Sequence, residues 1–99
     1  VNMLQLNILW IWRLYMKNKV LVELAVPELD AVYDVFIPIN RKVGNVIQLL
    51  MQAVSELSSG NYQGNEHVFL YNAFTNEKYS INSLIIDTDI RNGSRLILS

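Results

Sequence analysis

The 99-residue sequence contains no cysteine and a single histidine. Without cysteine the chain cannot form disulfides, thiolate nucleophiles or cysteine-based zinc sites. The lone histidine, His67, cannot build a multi-histidine metal site, and no carboxylate pair accompanies it at a ligand spacing. We therefore expect no metal, and we interpret His67 as an ordinary residue at the start of a strand. A chain held together by its core alone suits the cytoplasm.

Charge is also scarce, with eight Lys and Arg against nine Asp and Glu and a net charge of -1. The basic surface that nucleic acids need is missing, so we expect no nucleic-acid partner. Gly44, Gly60 and Gly64 make no phosphate-binding spacing, and no serine has a nearby histidine to activate it. The closest carboxylate pair, Asp87 and Asp89, is assigned to an exposed turn. We predict no catalytic residue, no cofactor and no enzyme activity.

The first fifteen residues differ from the rest of the chain. They contain one charge, Arg13, and both tryptophans, Trp10 and Trp12. The apolar stretch is shorter than the about 20 residues that span a bilayer, and no signal-peptide cleavage site follows it. Alternate residues of the segment are apolar, which is a strand pattern: Leu4, Leu6, Ile8, Trp10, Trp12 and Leu14. Three interpretations stay open: an extra strand that pairs with a sheet edge or a second copy, a membrane-surface anchor, or upstream sequence before a true start at Met16.

Residues 16–99 are predicted to form one domain, which opens with a hairpin. Lys19–Val26 is rich in β-branched residues and predicts a strand. The turn residues of segment 27–31 return the chain, so Val32–Ile37 is predicted as the second strand, which Pro38 ends.

Helical spacing follows the hairpin. The apolar residues that define an amphipathic helix are Val43, Val46, Ile47, Leu50, Val54 and Leu57. Asn40 is the expected N-cap, and Gly60 suits the left-handed position after the helix.

Three further strands are predicted after the helix. They are His67–Tyr71, a short strand Lys78–Ile81, and Arg95–Leu98, with a turn-like segment at 83–89 and a tight turn at Asn92–Gly93. The order β-β-α-β-β-β predicts an α+β roll, a mixed sheet with one helix packed across it.

This order resembles ubiquitin, whose fold is the β-grasp. Val35 and Ile37 resemble the inward residues of the second ubiquitin strand, and the helix turns its apolar face to the sheet in the same way. The ending of the chain (IRNGSRLIL, residues 90–98) combines an apolar anchor, a left-handed turn at Gly93 and a strand with Leu96 and Leu98 inward. The same ending resembles the YukD family, small ubiquitin-like proteins of the type VII secretion machinery in Gram-positive bacteria.

The resemblance implies a non-catalytic protein-interaction module. It would be a cytosolic accessory or regulatory component of type VII secretion, touching a membrane-embedded complex at the inner face of the membrane. Ubiquitin-type modifiers need a flexible Gly-Gly tail, and no glycine follows Gly93, so we expect no conjugation. The alternative is a general ubiquitin-like scaffold or oligomerisation domain in an unrelated pathway.

The predicted binding residues lie on the sheet face away from the helix and in the first fifteen residues. Strand alternation points Leu21, Phe36 and Ile97 outward on that face. Contiguous apolar surface of this kind marks interfaces. We predict that these three residues, with Trp10 and Trp12, bind protein partners.

Overall fold

A computed structural model describes residues 18–99, which begin with an antiparallel hairpin. Strand β1 spans Lys19–Val26 and β2 spans Ala31–Pro38. A short 3-10 helix, Pro27–Leu29, reverses the chain, and Asp30 completes the turn with a φ of 50°. The predicted hairpin is confirmed, and β2 is one residue longer at each end than the sequence pattern indicates.

In the described part of the chain the sheet has four strands in the order β2-β1-β4-β3. The two later strands are β3, Leu70–Asn72, and β4, Arg95–Leu98. Strand β4 runs parallel to β1 and antiparallel to β3. The sheet is therefore mixed, as predicted, and the long connection that parallel neighbours require contains the helix.

Helix α1 spans Val43–Leu57 and lies against the inner face of the sheet. Its buried residues are Val43, Val46, Ile47, Leu50, Ala53 and Val54. Every second residue of β1 meets this stripe, and the buried set is Val20, Val22, Leu24 and Val26. The two periodicities, about 3.6 residues in the helix and two in the strand, thus build one shared core.

The prediction that Asn40 caps the helix is wrong. Lys42 occupies the N-cap position and makes no side-chain cap bond. Two backbone carbonyls from later in the chain take that role: Ser83 accepts the N–H of Val43 at 2.8 Å and Ile81 accepts that of Gly44 at 3.0 Å. These bonds satisfy first-turn amides that would otherwise need a capping side chain.

Gly60 is left-handed as predicted, but Ser59, with a φ of 57°, takes the first left-handed position after α1. Gly60 has a φ of 82° and donates its N–H to the carbonyl of Ser55 at 2.8 Å. This bond satisfies one of the last carbonyls of the helix.

The sheet is shorter after the helix than the sequence predicts. Strand β3 begins at Leu70, so His67 lies before it, with an exposed side chain. The predicted strand Lys78–Ile81 is also wrong, because only Lys78 pairs with β3, in a single bridge. Its far end cannot continue the ladder, since the carbonyl of Ile81 is bonded to the helix. The α+β class with one helix across a mixed sheet is unaffected by these corrections.

Candidate protein-binding face

The surface of the sheet away from α1, called the outer face below, is the candidate site. Leu21, Phe36 and Ile97 lie there because their sequence neighbours point into the core. Leu21 is exposed, and the other two are half-buried. The structure thus places all three on the outer face, as the alternation predicts.

Leu21 and Phe36 form a first apolar row, opposite each other in the β1–β2 ladder. The turn before β4 fixes the backbone of Leu21 on its other side. Asn92 Oδ1 accepts the N–H of Leu21 at 2.8 Å, and Gly93 donates its N–H to the Leu21 carbonyl at 2.8 Å. Gly93 has a φ of 86°, so the predicted left-handed turn is confirmed. These residues border a shallow depression of about 610 Å³.

A charged row crosses the middle of the outer face. Glu23 lies opposite Asp34 on one side and Arg95 on the other. Arg95 Nε is 2.9 Å from the Glu23 carboxylate. Within residues 18–99 the only other contact between acidic and basic side chains joins Glu66 and His67, so Asp34 has no ion-pair partner in this part of the chain. Two acids face each other here, and only one of them is neutralised by a cation.

A second apolar row lies beyond the charges and crosses all four strands. Val32, Ala25, Ile97 and Tyr71 are consecutive neighbours in the three ladders. Val32 is 58% exposed, and the others are half-buried. Ile97 therefore belongs to a different row from Leu21 and Phe36, and the three predicted residues do not form one cluster.

Phe74 extends the outer face beside β4. It is 76% exposed, and its ring centre lies 5.8 Å from the guanidinium carbon of Arg95. The turn that carries it is held by Asn72, whose Oδ1 accepts the N–H of Phe74 at 2.8 Å. The sequence analysis did not select Phe74 as a binding residue, because it lies among turn residues. An aromatic residue in a polar turn is nevertheless a signal of a binding role.

Asp89 has a structural role in the turn where the sequence places it. Its Oδ1 accepts the Tyr79 hydroxyl at 2.6 Å, and its Oδ2 accepts Asn72 Nδ2 at 3.2 Å. No cluster of acidic and histidine side chains within residues 18–99 could hold a metal ion. The outer face thus offers apolar side chains and a few charged ones, a composition that suits binding.

Trp10 and Trp12, the two remaining predicted binding residues, lie outside the described residues, as does the whole 1–15 segment. No helix of residues 18–99 is long and apolar enough to cross a membrane.

Three solved structures illustrate what the fold is similar to. The ubiquitin-like domain of the Mycobacterium tuberculosis type VII secretion system protein EccD1 matches with a TM-score of 0.65 and 13% identity, over 81% of this chain and 96% of that one. A chain of the ESX-5 inner membrane complex matches with a TM-score of 0.68 and 18% identity, over 83% of this chain. A chain of the toluene 4-monooxygenase HD complex matches with a TM-score of 0.65 and 12% identity, over 82% of this chain and 96% of that one.

The fold is therefore that of a ubiquitin-like domain, and its structural neighbours include such a domain of a type VII secretion system protein and a chain of an inner membrane complex. The chain spans about a fifth of the ESX-5 chain that it matches, 21% of its length. No protein-family model matches the sequence, and a comparison with curated protein sequences finds no match. At these identities the likeness establishes the fold, and function has to be argued from the site.

Proposed function

We propose that this chain is a non-catalytic, ubiquitin-like interaction module that acts as an accessory or regulatory component of type VII protein secretion. It would work in the cytoplasm of a Gram-positive bacterium, against the inner face of a membrane-embedded complex, as its YukD-like ending implies. The likeness to an EccD1 domain and to a chain of an inner membrane complex supports this proposal.

The outer face is the observation that carries the proposal. Its two apolar rows remain exposed or half-exposed on either side of the Asp34–Glu23–Arg95 row. A patch of apolar and aromatic side chains with a few charges has the composition of the central part of a protein interface. Tyr71 and Phe74 are the aromatic residues best placed to act as anchors, since aromatic side chains contribute much of the binding energy at interfaces.

Affinity purification from native membranes tests this function. The tagged 99-residue chain should recover the secretion complex, identified through its membrane ATPase. Leu21→Asp in the first row or Val32→Asp in the second should reduce that recovery. Ile86→Asp provides the matched control, because Ile86 is also an exposed aliphatic residue and lies outside the outer face. Recovery that is equal for all three variants would remove the outer face as the docking surface.

The alternative function is a scaffold in an unrelated pathway. The likeness to a chain of the toluene 4-monooxygenase HD complex, similar in extent to the likeness to EccD1, supports this alternative. Recovery of a soluble enzyme complex without membrane components would support the alternative. Neighbouring genes separate the two functions as well, since a membrane ATPase and small helical exported proteins nearby would favour secretion.

A further inference from the structure

Within residues 18–99, strand β2 presents a free edge, because it is the outermost strand beside β1. The N–H and C=O of Leu21 bond toward β4, and so does the N–H of Glu23, which Ser94 accepts at 2.9 Å. Leu21 and Glu23 therefore form no backbone hydrogen bonds with their partners on β2. In an antiparallel ladder the partners of such residues point their own N–H and C=O away from β1, toward the open edge of the sheet.

The pairing of β1 with β2 identifies the β2 residues whose backbone N–H and C=O groups point to the open edge of the sheet. Phe36 and Asp34 face Leu21 and Glu23, and Val32 follows by alternation. The N–H and C=O groups of these three residues form no hydrogen bond within residues 18–99. An unpaired row of this kind is a template for one more strand.

The side chains of the same three residues give the edge a chemical pattern. Along the outer face they read apolar, acidic and aromatic: Val32, Asp34 and Phe36. Asp34 lies opposite Glu23, whose charge Arg95 already neutralises. A complementary strand would place a basic residue opposite Asp34 and an apolar residue two positions away on each side.

One segment of this chain has that pattern. Residues 11–15 (IWRLY) carry Ile11, Arg13 and Tyr15 on one face of an extended strand, and Arg13 is the only charge among the first fifteen residues. We propose that residues 11–15 of one copy of this chain add as an antiparallel strand to the free edge of β2 in a second copy. Arg13 then lies opposite Asp34, Ile11 opposite Phe36 and Tyr15 opposite Val32.

The segment cannot occupy this position on its own chain. Asn18 accepts the N–H of Ile39 at 3.2 Å, which holds it on the β1 side of the end of β2. A parallel strand with Arg13 beside Asp34 would put residue 17 outside Pro38, roughly 10 Å or two strand spacings from Asn18. Because consecutive Cα atoms are only about 3.8 Å apart, residue 17 in that position could not be joined to Asn18. An antiparallel strand in the same chain would end still farther away, at the opposite end of β2.

The other face of the added strand carries Trp12 and Leu14. Alternation puts Trp12 on the α1 side, next to Val35, and Leu14 next to Tyr33. Val35 is buried and Tyr33 half-buried. A strand that pairs through its backbone and packs apolar side chains on both faces makes the contacts that peptides use when they extend a sheet.

A charge exchange tests the pairing, with sedimentation velocity of the 99-residue chain over a range of concentrations. Wild type should self-associate, and Arg13→Asp or Asp34→Arg should each weaken association by about tenfold. The double variant should restore it. Glu56→Arg, which also replaces an acidic residue by arginine but at an exposed position of α1, should have no effect. A monomeric wild type, or a double variant no better than the single ones, would overturn the proposal.

Hydrogen exchange separates strand addition from association through the outer face. In wild type, the amides of Val32, Asp34 and Phe36 should exchange more slowly than in Arg13→Asp. The intervening amides of β2 bond to β1 and should be slow in both proteins. Equal exchange of the three edge amides would reject strand addition even if self-association persisted. This outcome is independent of the secretion function, which Leu21→Asp tests on β1, away from the edge of β2.

Engineered disulfides test the register, and the absence of native cysteine makes the result unambiguous. A variant with Ile11→Cys and Phe36→Cys should form a dimer linked between copies on mild oxidation, since antiparallel partners lie within disulfide reach. The pair Ile11→Cys and Val32→Cys should not. Faster cross-linking of the second pair would mean a parallel strand and would overturn the antiparallel register.

Discussion

Tyr79 donates a hydrogen bond from its hydroxyl to Asp89 Oδ1 at 2.6 Å, and this bond ties the segment after β3 to the segment before β4. Partial burial of the phenol, followed by the hydrogen bond and the negative charge of Asp89, raises the pKa of Tyr79 above its usual value of 10.0. All of these causes favour the neutral phenol in the folded state. The bond therefore links the stability of the C-terminal half of the domain to alkaline pH.

Tyr79→Phe should lower stability at neutral pH by about 0.5–1.5 kcal/mol, the usual contribution of one hydrogen bond. Because the folded-state pKa is raised, the stabilisation by Tyr79 is complete below the usual pKa of 10.0 and is lost as the pH rises above it. Wild type should therefore lose more stability than Tyr79→Phe on alkaline titration. Urea unfolding at neutral pH and at about pH 11 measures both effects. Equal losses in the two proteins would contradict this assignment.

Tyr62 offers the opposite case, a buried tyrosine without a hydrogen bond. Its side chain packs in the core at 3% exposure, and its hydroxyl has no hydrogen-bond partner within residues 18–99. Tyr62→Phe removes an unsatisfied polar atom and should leave stability unchanged or raise it by up to about 1 kcal/mol. Tyr62→Ala should cost about 3–5 kcal/mol, because it empties an aromatic site in the core. A loss of more than about 1 kcal/mol in Tyr62→Phe would show that the hydroxyl is bonded.

Leu96 anchors the last strand in the core at 1% exposure. Leu96→Ala should cost about 2–5 kcal/mol through lost burial and the cavity left behind. The control is Leu84→Ala, the same truncation at an exposed leucine, which should change stability by about 0.5 kcal/mol or less. Chemical denaturation of both variants gives the comparison. A similar loss of stability in the two variants would show that Leu96 of β4 is not packed in the core.

Local patterns predicted the parts of the fold that local physics determines. The alternation of β1, the helical stripe from Val43 and the left-handed turn at Gly93 each depend on residues close together in sequence. The Asn40 cap and the Lys78–Ile81 strand failed for one shared reason. The carbonyls of Ile81 and Ser83 satisfy the start of α1, a contact across about forty residues that one sequence does not reveal.

The candidate site was predictable only in part. Alternation identifies which side chains point outward, but the relative register of strands decides which of them are neighbours. Ile97 meets Ala25 rather than Leu21 because β4 pairs with β1 through Glu23 and Arg95. Tyr62 was missed because it lies in a polar loop whose other residues indicate solvent exposure.

Gly93 provides a test of the turn that positions β4 beside β1. Its φ of 86° lies in the left-handed region, and beyond its chain neighbours a Cβ added there would meet no atom of residues 18–99 within 4 Å, so the cost of substitution comes from the backbone. Gly93→Val should destabilise the domain by about 1–2 kcal/mol, the usual penalty for a side chain in that conformation. Gly93→Asn should cost less, since asparagine tolerates the left-handed region better than β-branched residues do. Urea unfolding of the two variants tests this ordering. If valine cost no more than asparagine, the turn would have to adopt another conformation, without the bond from the Leu21 N–H to Asn92 Oδ1 and the bond from the Gly93 N–H to the Leu21 carbonyl.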